Sequence, residues 1–407
     1  MTQSLSAVLE LHTPRNPGCT LPSKPRPEDR SLVISASEGK VLRRCLDVSS
    51  RCRIRTFERL DDAAAQGNPL KRVLIIVLAL ILFAATGWGT LVLFFTVPDD
   101  ASWVRGGIAV VYGLASVAIL LWLRPPWRAI AVWSTGLLAI LVWWNILQPS
   151  NVREWQPDVA KLTSFKVEGD HLSVHNFRDF DYRTETDFTP HYEDRVFDLS
   201  KLRGVDLFMS YWGSRAIAHT IMSWDFDGAP PLAISIETRK SKGQEYSAIE
   251  GFFKQYEIIY VAADERDVIR LRTNYRGEEV YLYRLKITPN QARTLLMDYV
   301  ATMNALVEKP RYYNALIDNC TTSIRGHVKS VFPNAPPVDW RLLANGYGDE
   351  MLYEHGNIDT SLSFDELRKR SHINTRAKML DQDPGFSHGI REGLPDPREA
   401  SGKSTDQ

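Results

Sequence analysis

The sequence predicts three N-terminal transmembrane helices followed by an α+β domain with a mainly antiparallel sheet. Two observations lead to this prediction. Residues 73–149 are almost free of charged side chains and contain three long apolar runs. Residues from 150 onwards have an ordinary globular composition, with short apolar segments typical of strands between fewer, longer amphipathic segments typical of helices.

The apolar runs cover Val73–Val97, about Gly106 to Leu123, and Ala129–Leu147. Each approaches or exceeds the roughly 18–20 residues that a helix needs to cross a bilayer core. Backbone groups in hydrocarbon must bond within their own segment, so the runs are predicted to be helical. A buried helix of a soluble protein is the alternative, which three such runs in succession disfavour.

The flanking charges predict the orientation in the membrane. Arginines and lysines precede the first run, the first loop contains Asp99 and Asp100, and Arg124 and Arg128 flank the second loop. The positive-inside rule then places the N-terminus and the second loop in the cytoplasm. The region after Pro149 is expected in the periplasm, with the helices in a bacterial inner membrane.

Four regions are therefore predicted: a cytoplasmic, largely disordered segment over 1–72, transmembrane helices over 73–149, a periplasmic domain over 150–395 and a disordered tail over 396–407. No apolar stretch at the start resembles a cleaved signal peptide. Cys19, Cys45 and Cys52 are expected to be cytoplasmic and reduced. The 49 basic and 49 acidic residues balance, so no overall charge favours binding to nucleic acid.

Alternating or apolar segments predict the strands of the domain, which are Leu162–Val167, Leu172–Asn176, Arg195–Leu199, Val205–Ser210, Ile217–Trp224, Leu232–Thr238, Glu257–Ala262 and Val280–Ile287. The clearest amphipathic helix is Pro289–Val307, with proline near its start. Shorter helices are predicted after Cys320 and over Gly348–Glu354 and Phe364–Arg370.

Cys320 is the only cysteine after the apolar region, and it stands at the predicted start of a helix. Asp318 or Asn319 can cap that helix by accepting its first amides. A thiol at a helix N-terminus is favoured as thiolate, and the amides around Asn319, Thr321 and Thr322 could bind substrate or stabilise an oxyanion. Cys320 is thus a candidate nucleophile. The alternative is a small buried apolar residue.

His219 lies in a strand-like apolar run and is a candidate base. A hairpin centred near Gly228 would place it opposite Glu237, whose carboxylate could orient the imidazole. A register shifted by two residues would bring Ser235 or Asp225 there instead. A hydrogen-bonded core histidine is the alternative interpretation.

Neither a metal site nor a cofactor site is predicted. The chain has no paired cysteine spacing, no His-Glu-x-x-His motif and no glycine-rich phosphate loop. Asp264-Glu265-Arg266-Asp267 with Arg270 and Arg272 is predicted to be a solvated network of ion pairs. His327 follows Cys320 on the same predicted helix, about 10 Å further along its axis, which is too far for direct proton transfer.

The run from Asn314 to Arg325, together with Ala218-His219-Thr220, resembles the N-terminal periplasmic domain of the lipoprotein N-acyltransferase B (Lnb) family. The resemblance covers roughly Asp158 to Pro395. It implies a permuted papain-like (NlpC/P60-like) thiol fold, in which the base His219 precedes the nucleophile Cys320. Glu237 as third member comes from the hairpin register alone. That family often has Phe-Gly before the histidine and carries membrane helices after the domain, whereas here the helices precede it.

The expected function is that of a membrane-anchored cysteine acyltransferase or hydrolase acting on a lipid, a lipoprotein or another envelope acyl group. Membrane lipids or a lipoprotein would be its partners. The linker between the third helix and the first strand reaches about 50 Å at most, so any substrate must come near the membrane. The alternatives are an amidase or peptidase that cuts peptidoglycan stem peptides, and a non-catalytic envelope scaffold.

Overall fold

The computed structural model describes residues 69–97, 102–332, 335 and 339–398. The predictions for Cys19, Cys45, Cys52 and nearly all of the N-terminal segment lie outside the described residues, as does most of the predicted tail.

Among the described residues, three helices are long and apolar enough to cross a membrane, as predicted: α1 Pro69–Thr96, α2 Ser102–Trp122 and α3 Pro126–Ile146. Each begins a few residues before its predicted apolar run. The Nε1–H of Trp133 in α3 donates to Thr86 Oγ1 of α1 at 2.9 Å. Residues Leu80–Gln407 form one compact unit, which includes the C-terminal ends of α1 and α3.

The remainder of the chain is α+β with a mainly antiparallel sheet, which confirms the predicted fold class. Its strands are β1 Ser164–Glu168, β2 His171–Arg178, β3 Asp181–Tyr182, β4 Phe188–Thr189, β5 Tyr192–Asp198, β6 Leu202–Tyr211, β7 His219–Phe226, β8 Ala229–Arg239, β9 Glu257–Ala263 and β10 Glu279–Arg284. The large sheet has the order β1-β2-β9-β8-β7-β6-β10, and β5 pairs with β2. The short strands β3 and β4 pair separately.

Helices cover both faces of this sheet. They are α4 Glu265–Arg270, α5 Pro289–Glu308, α6 Cys320–Val331, α7 Gly348–Glu354, α8 Phe364–Ser371, α9 Asn374–Met379 and α10 Phe386–Gly389. The apolar core on one face includes Trp224 of β7 and Tyr299 of α5, whose rings meet edge to face. The core on the other face includes Ile221 of β7 and Phe386 of α10. The central strands are therefore buried on both sides.

The β7–β8 hairpin has the predicted register. Ile221 pairs with Ser235, and Gly228 lies in the turn with φ 72°, a left-handed conformation that favours glycine. Continuing the register to the first residue of β7 brings His219 to the level of Glu237. The turn therefore fixes the place of His219 at one end of the sheet.

That end of the sheet lies beside the linker that leaves α3. Ser150 N donates to Glu257 Oε1 at 3.0 Å, at the start of β9. Arg239, at the end of β8, donates to Asn151 Oδ1 at 3.0 Å. Because β7 runs antiparallel to β8, its first residue, His219, is at this same end.

Candidate active site

The helix α6 begins at Cys320, and Asn319 is its cap. Asn319 Oδ1 accepts from Thr322 N at 3.0 Å, and Thr322 Oγ1 accepts from Asn319 N at 2.9 Å. This reciprocal capping box satisfies two amides that a helix start leaves without partners. Asp318, the other predicted cap, instead accepts from Ser323 Oγ at 3.0 Å. The cap fixes the Cys320 side chain in the first turn of the helix.

The Cys320 thiol is half-buried and interacts with His219. Burial raises the pKa of the thiol, but a hydrogen bond to His219, the charge of that imidazole and the backbone of Thr220 lower it below its usual value. The position in the first turn of a helix favours thiolate in the same direction. Cys320 thus has the electrostatic surroundings that a reactive thiol requires.

His219 is 9% exposed, and its Nε2 faces two partners on β8. Ser235 Oγ lies 2.8 Å from this nitrogen and Glu237 Oε1 lies 3.2 Å from it. Ser235 also donates to Glu237 Oε1 at 2.6 Å. Ser235 and Asp225 were the alternatives to Glu237 as the residue that orients His219. Ser235 does contact the imidazole. Asp225 lies at the other end of β7, where it accepts from Arg284 at 2.9 Å.

The pKa of His219 is raised to about 9. Burial and the nearby Arg272 guanidinium lower it, but the Glu237 carboxylate and the contact with Cys320 outweigh them. Burial acts to raise the pKa of Glu237, yet the charges of His219 and Arg272 hold it well below its usual value. A lowered thiol pKa beside a raised imidazole pKa favours a thiolate–imidazolium pair.

Arg272 completes the charged cluster, and it was not predicted as part of the site. Its guanidinium donates to Glu237 Oε1 at 2.8 Å and to Glu278 Oε2 at 3.2 Å. Glu278 in turn accepts a short hydrogen bond from Ser210 Oγ. Arg272 lies on a π-helical turn, Leu271–Tyr275, that follows α4. Such turns are frequent at functional sites because they redirect a side chain.

The prediction that residues 264–272 form a solvated network is wrong. Glu265, Asp267, Arg270 and Arg272 are all buried. Arg178 forms a bidentate ion pair with Asp267, with hydrogen bonds of 2.7 and 2.8 Å. Arg391 forms a bidentate ion pair with Glu265. The partners come from remote parts of the chain, so local sequence did not reveal the burial.

Asn345 is a second residue that the sequence did not indicate. Its Oδ1 accepts from Ala218 N at 2.9 Å, and its Nδ2 donates to Ala218 O at 2.7 Å and to Thr321 Oγ1. Ala218 precedes His219 and Thr321 follows Cys320. The single amide of Asn345 therefore joins the two segments that carry the candidate base and nucleophile.

The side chains of Asn319, Thr321 and Thr322, which were predicted to bind substrate or an oxyanion, are all engaged in hydrogen bonds within the protein. The side chains of Asn319 and Thr322 bond to each other's backbone in the cap, and Thr321 Oγ1 accepts from Asn345. An oxyanion at the helix start would therefore be bound by backbone amides rather than by these side chains. The amides of Cys320 and Thr321 belong to the first turn, whose N–H groups have no acceptor within the helix.

His327, in contrast, serves the packing of α6. Its Nδ1 lies 2.6 Å from Asp298 Oδ2 and its Nε2 lies 3.0 Å from the Tyr260 hydroxyl. Its ring stacks on Tyr299 at 3.8 Å. Both nitrogens are occupied, so His327 ties α6 to α5 and β9.

An apolar groove opens beside the candidate nucleophile. It has a cavity volume of about 160 Å³, and Thr220 and Thr321 line it next to His219 and Cys320. The rest of its wall is mostly apolar and includes Leu207, Met209, Met222, Ile324, Val328 and Met351. Arg325, Arg341 and His355 also line it.

Comparison with known protein families finds a match to part of the chain. Residues 188–346 match the family model of the Lnb N-terminal periplasmic domain, which confirms the resemblance seen in the sequence over a narrower range. The match includes His219, Glu237 and Cys320 and ends one residue after Asn345. No curated protein and no solved structure is significantly similar to the chain. With its three apolar helices, the chain is a membrane protein with a periplasmic domain.

Proposed function

Because residues 188–346 match the family model of the Lnb N-terminal periplasmic domain, we propose that the chain is a cysteine-dependent acyltransferase or hydrolase of the cell envelope. Its substrate would be an ester or amide of a membrane lipid or lipoprotein. Cys320 is the nucleophile, His219 the proton carrier and Glu237 the residue that orients the imidazole. The observation on which this proposal depends is that Asn345 joins Ala218 and Thr321, the neighbours of His219 and Cys320, and that these two residues lie close enough for each to shift the other's pKa.

In the first half-reaction, the Cys320 thiolate attacks the carbonyl carbon of the acyl donor and a carbon–sulfur bond forms. The carbonyl oxygen becomes an oxyanion, which the first-turn amides of Cys320 and Thr321 can bind. The His219 imidazolium then donates its proton to the leaving alcohol or amine as the original ester or amide bond breaks. The product is a thioester on Cys320, and His219 is left neutral.

In the second half-reaction, neutral His219 accepts a proton from an amine or from water while that group attacks the thioester carbonyl. Collapse of the oxyanion expels the Cys320 thiolate, and the starting ion pair is restored. An amine acceptor gives acyl transfer, and water gives hydrolysis. Glu237 and Ser235 hold the imidazole in place throughout because both contact its Nε2.

The apolar groove supports an acyl substrate over a peptidoglycan stem peptide. Its wall beside Thr220 and Thr321 is dominated by leucine, isoleucine, valine and methionine side chains. A hydrocarbon chain gains free energy there by leaving water, whereas a charged peptide would lose hydration along these apolar side chains. An acyl chain in the groove would bring its carbonyl to Cys320.

The order of the site residues supports the permuted papain-like thiol fold, since the histidine strand β7 precedes the cysteine helix α6. The flanking charges support an N-terminus in the cytoplasm and a catalytic domain in the periplasm at the inner membrane.

Mass spectrometry of the full-length protein tests the proposal. After incubation with phospholipid vesicles and a diacylglyceryl lipopeptide, we expect a hydroxylamine-sensitive acyl adduct on the peptide that contains Cys320. His219→Ala should abolish the adduct, whereas His388→Gln, which changes an exposed histidine outside the site, should retain it. A non-catalytic scaffold would give no adduct, and Cys320 would then react with iodoacetamide no faster than an ordinary thiol.

A further inference from the structure

A short segment of the domain is anchored between the ends of the membrane helices. The ring of Phe253 stacks on Phe95 of α1 at 5.1 Å between ring centroids, and it shares an apolar cluster with Val92 and Ile140. Lys254 Nζ donates to the backbone oxygen of Trp144 in α3 at 2.7 Å. Val92 is four residues before the end of α1, about 6 Å along its axis. Phe253 therefore packs near the C-terminal ends of α1 and α3.

Four large apolar side chains beside this anchor are exposed. Ile249 and Phe252 are 58% and 41% exposed, and Leu316 and Ile317 are 54% and 74% exposed. We refer to these four residues as the interfacial patch. A soluble surface seldom gathers such side chains without a partner.

The two halves of the patch are held together by the backbone. Ala315 N donates to Gly251 O at 3.1 Å. A Cβ on Gly251 would lie 3.2 Å from the Ala315 Cβ, so the two segments are in close contact. Further along, the Tyr312 hydroxyl donates to Gln148 O at 2.8 Å, in the linker that follows α3.

The loop that presents Leu316 and Ile317 has a fixed conformation. Asn314 and Asp318 exchange two backbone hydrogen bonds, at 3.1 and 3.0 Å. Asn314 Oδ1 accepts from the backbone N–H groups of Leu316 and Ile317 at 2.9 and 3.1 Å. The loop is thus closed by its polar residues, and its apolar side chains point to solvent. Cys320 follows three residues after Ile317.

We infer that the interfacial patch inserts into the surface of the bilayer that α1 and α3 span. The bilayer is the occupant because the patch continues, through Phe253 and Lys254, the contact that the domain already makes with the helix ends. Apolar side chains in the headgroup region gain free energy in proportion to the area they bury. The patch would then hold the start of α6 beside the lipids. This inference does not depend on the thiol being catalytic.

Site-directed labelling of the full-length chain tests the inference. In a background with Cys19→Ser, Cys45→Ser, Cys52→Ser and Cys320→Ala, one cysteine is introduced by Ile317→Cys or Phe252→Cys. An environment-sensitive fluorophore is attached, and the protein is reconstituted in phosphatidylethanolamine–phosphatidylglycerol vesicles. Phosphatidylcholine with a nitroxide near the top of its acyl chain serves as the quencher. The matched control is Asp227→Cys, in the exposed turn at the opposite end of β7.

We expect blue-shifted emission and strong quenching at positions 317 and 252, several-fold stronger than at position 227. Equal quenching at all three positions would overturn the inference. Because Cys320 is absent from every labelled protein, the result is independent of the proposed chemistry. A patch that is quenched in a protein that forms no acyl adduct would leave the membrane contact intact and remove only the proposed reaction.

Discussion

Arg272 and His219 share one oxygen atom of Glu237: the guanidinium donates to Oε1 at 2.8 Å, and the imidazole Nε2 lies 3.2 Å from the same atom. Arg272 affects the pKa of His219 in two opposing ways. Arg272 keeps the carboxylate ionised, and its own charge lowers the pKa of His219. The carboxylate in turn raises the pKa of His219. The charge state of the imidazole therefore depends on the whole cluster.

The first prediction concerns Glu237→Gln. The loss of the carboxylate should lower the pKa of His219 from about 9. The imidazolium would then stabilise the Cys320 thiolate less, and the pKa of the thiol should rise. We expect the rate of iodoacetamide alkylation near neutral pH to fall about tenfold, which corresponds to a shift of about one pKa unit. Glu193→Gln, which alters an ion pair with Arg195 outside the site, should leave the rate unchanged.

The second prediction is the pH profile of alkylation. The pKa of Cys320 is lowered and that of His219 is raised to about 9, so the ion pair should persist between these two values. The alkylation rate of the wild-type thiol should therefore remain high below the pH at which an ordinary cysteine ionises, about 8.5. His219→Ala should move the rise in rate to higher pH. If both proteins gave the same profile, the imidazole would have no part in activating the thiol.

The third prediction concerns stability. Arg272 is buried and pairs with Glu237 and Glu278, so Arg272→Met removes the buried cation that these two carboxylates share. Breaking a buried pair in this way should reduce the free energy of unfolding by about 3–5 kcal/mol. Arg293→Met removes an exposed pair with Asp170 and should cost about 0–1 kcal/mol. Denaturant unfolding in detergent measures both, and equal losses would contradict the prediction.

The fourth prediction concerns the apolar groove. Met351→Trp places a larger side chain in its wall and should shorten the space for an acyl chain. Activity on long-chain esters should fall, while activity on butyryl or shorter esters remains. Leu343→Trp alters a neighbouring side chain that is exposed and should leave both activities unchanged. A uniform loss for all chain lengths would show that the groove does not hold the chain.

The fifth prediction concerns Asn345→Ala, which removes the amide between Ala218 and Thr321. The buried backbone groups of Ala218 would lose their partner, at a cost of about 1–3 kcal/mol. As a positioning residue, Asn345 should affect turnover more than substrate affinity. We therefore expect kcat to fall with little change in KM. Asn345→Asp retains the acceptor for Ala218 N and should retain part of the activity.

Local signals predicted much of the framework. The apolar runs predicted three membrane helices, and the glycine turn near Gly228 predicted the hairpin register that brings His219 and Glu237 together. The N-cap of α6 was predicted because a capping residue acts on amides within one turn. These features depend on residues that are close in the chain.

The contributions of Arg272 and Asn345 depend on contacts between residues that are far apart in the chain. Asn345 bonds to Ala218, which lies 127 positions earlier. Whether Arg272 is buried or solvated depends on the packing of the π-helical turn against β8, which no local pattern describes. The family resemblance identified the cysteine and histidine segments but not the residues that join them.

The packing of Phe253 against the ends of α1 and α3 limits the distance between the sheet domain and the membrane helices. These contacts, with the hydrogen bond from Lys254 to Trp144, tie the sheet domain to α1 and α3. Under the proposed function, the Cys320 thiol would then reach only acyl bonds that lie near the membrane surface.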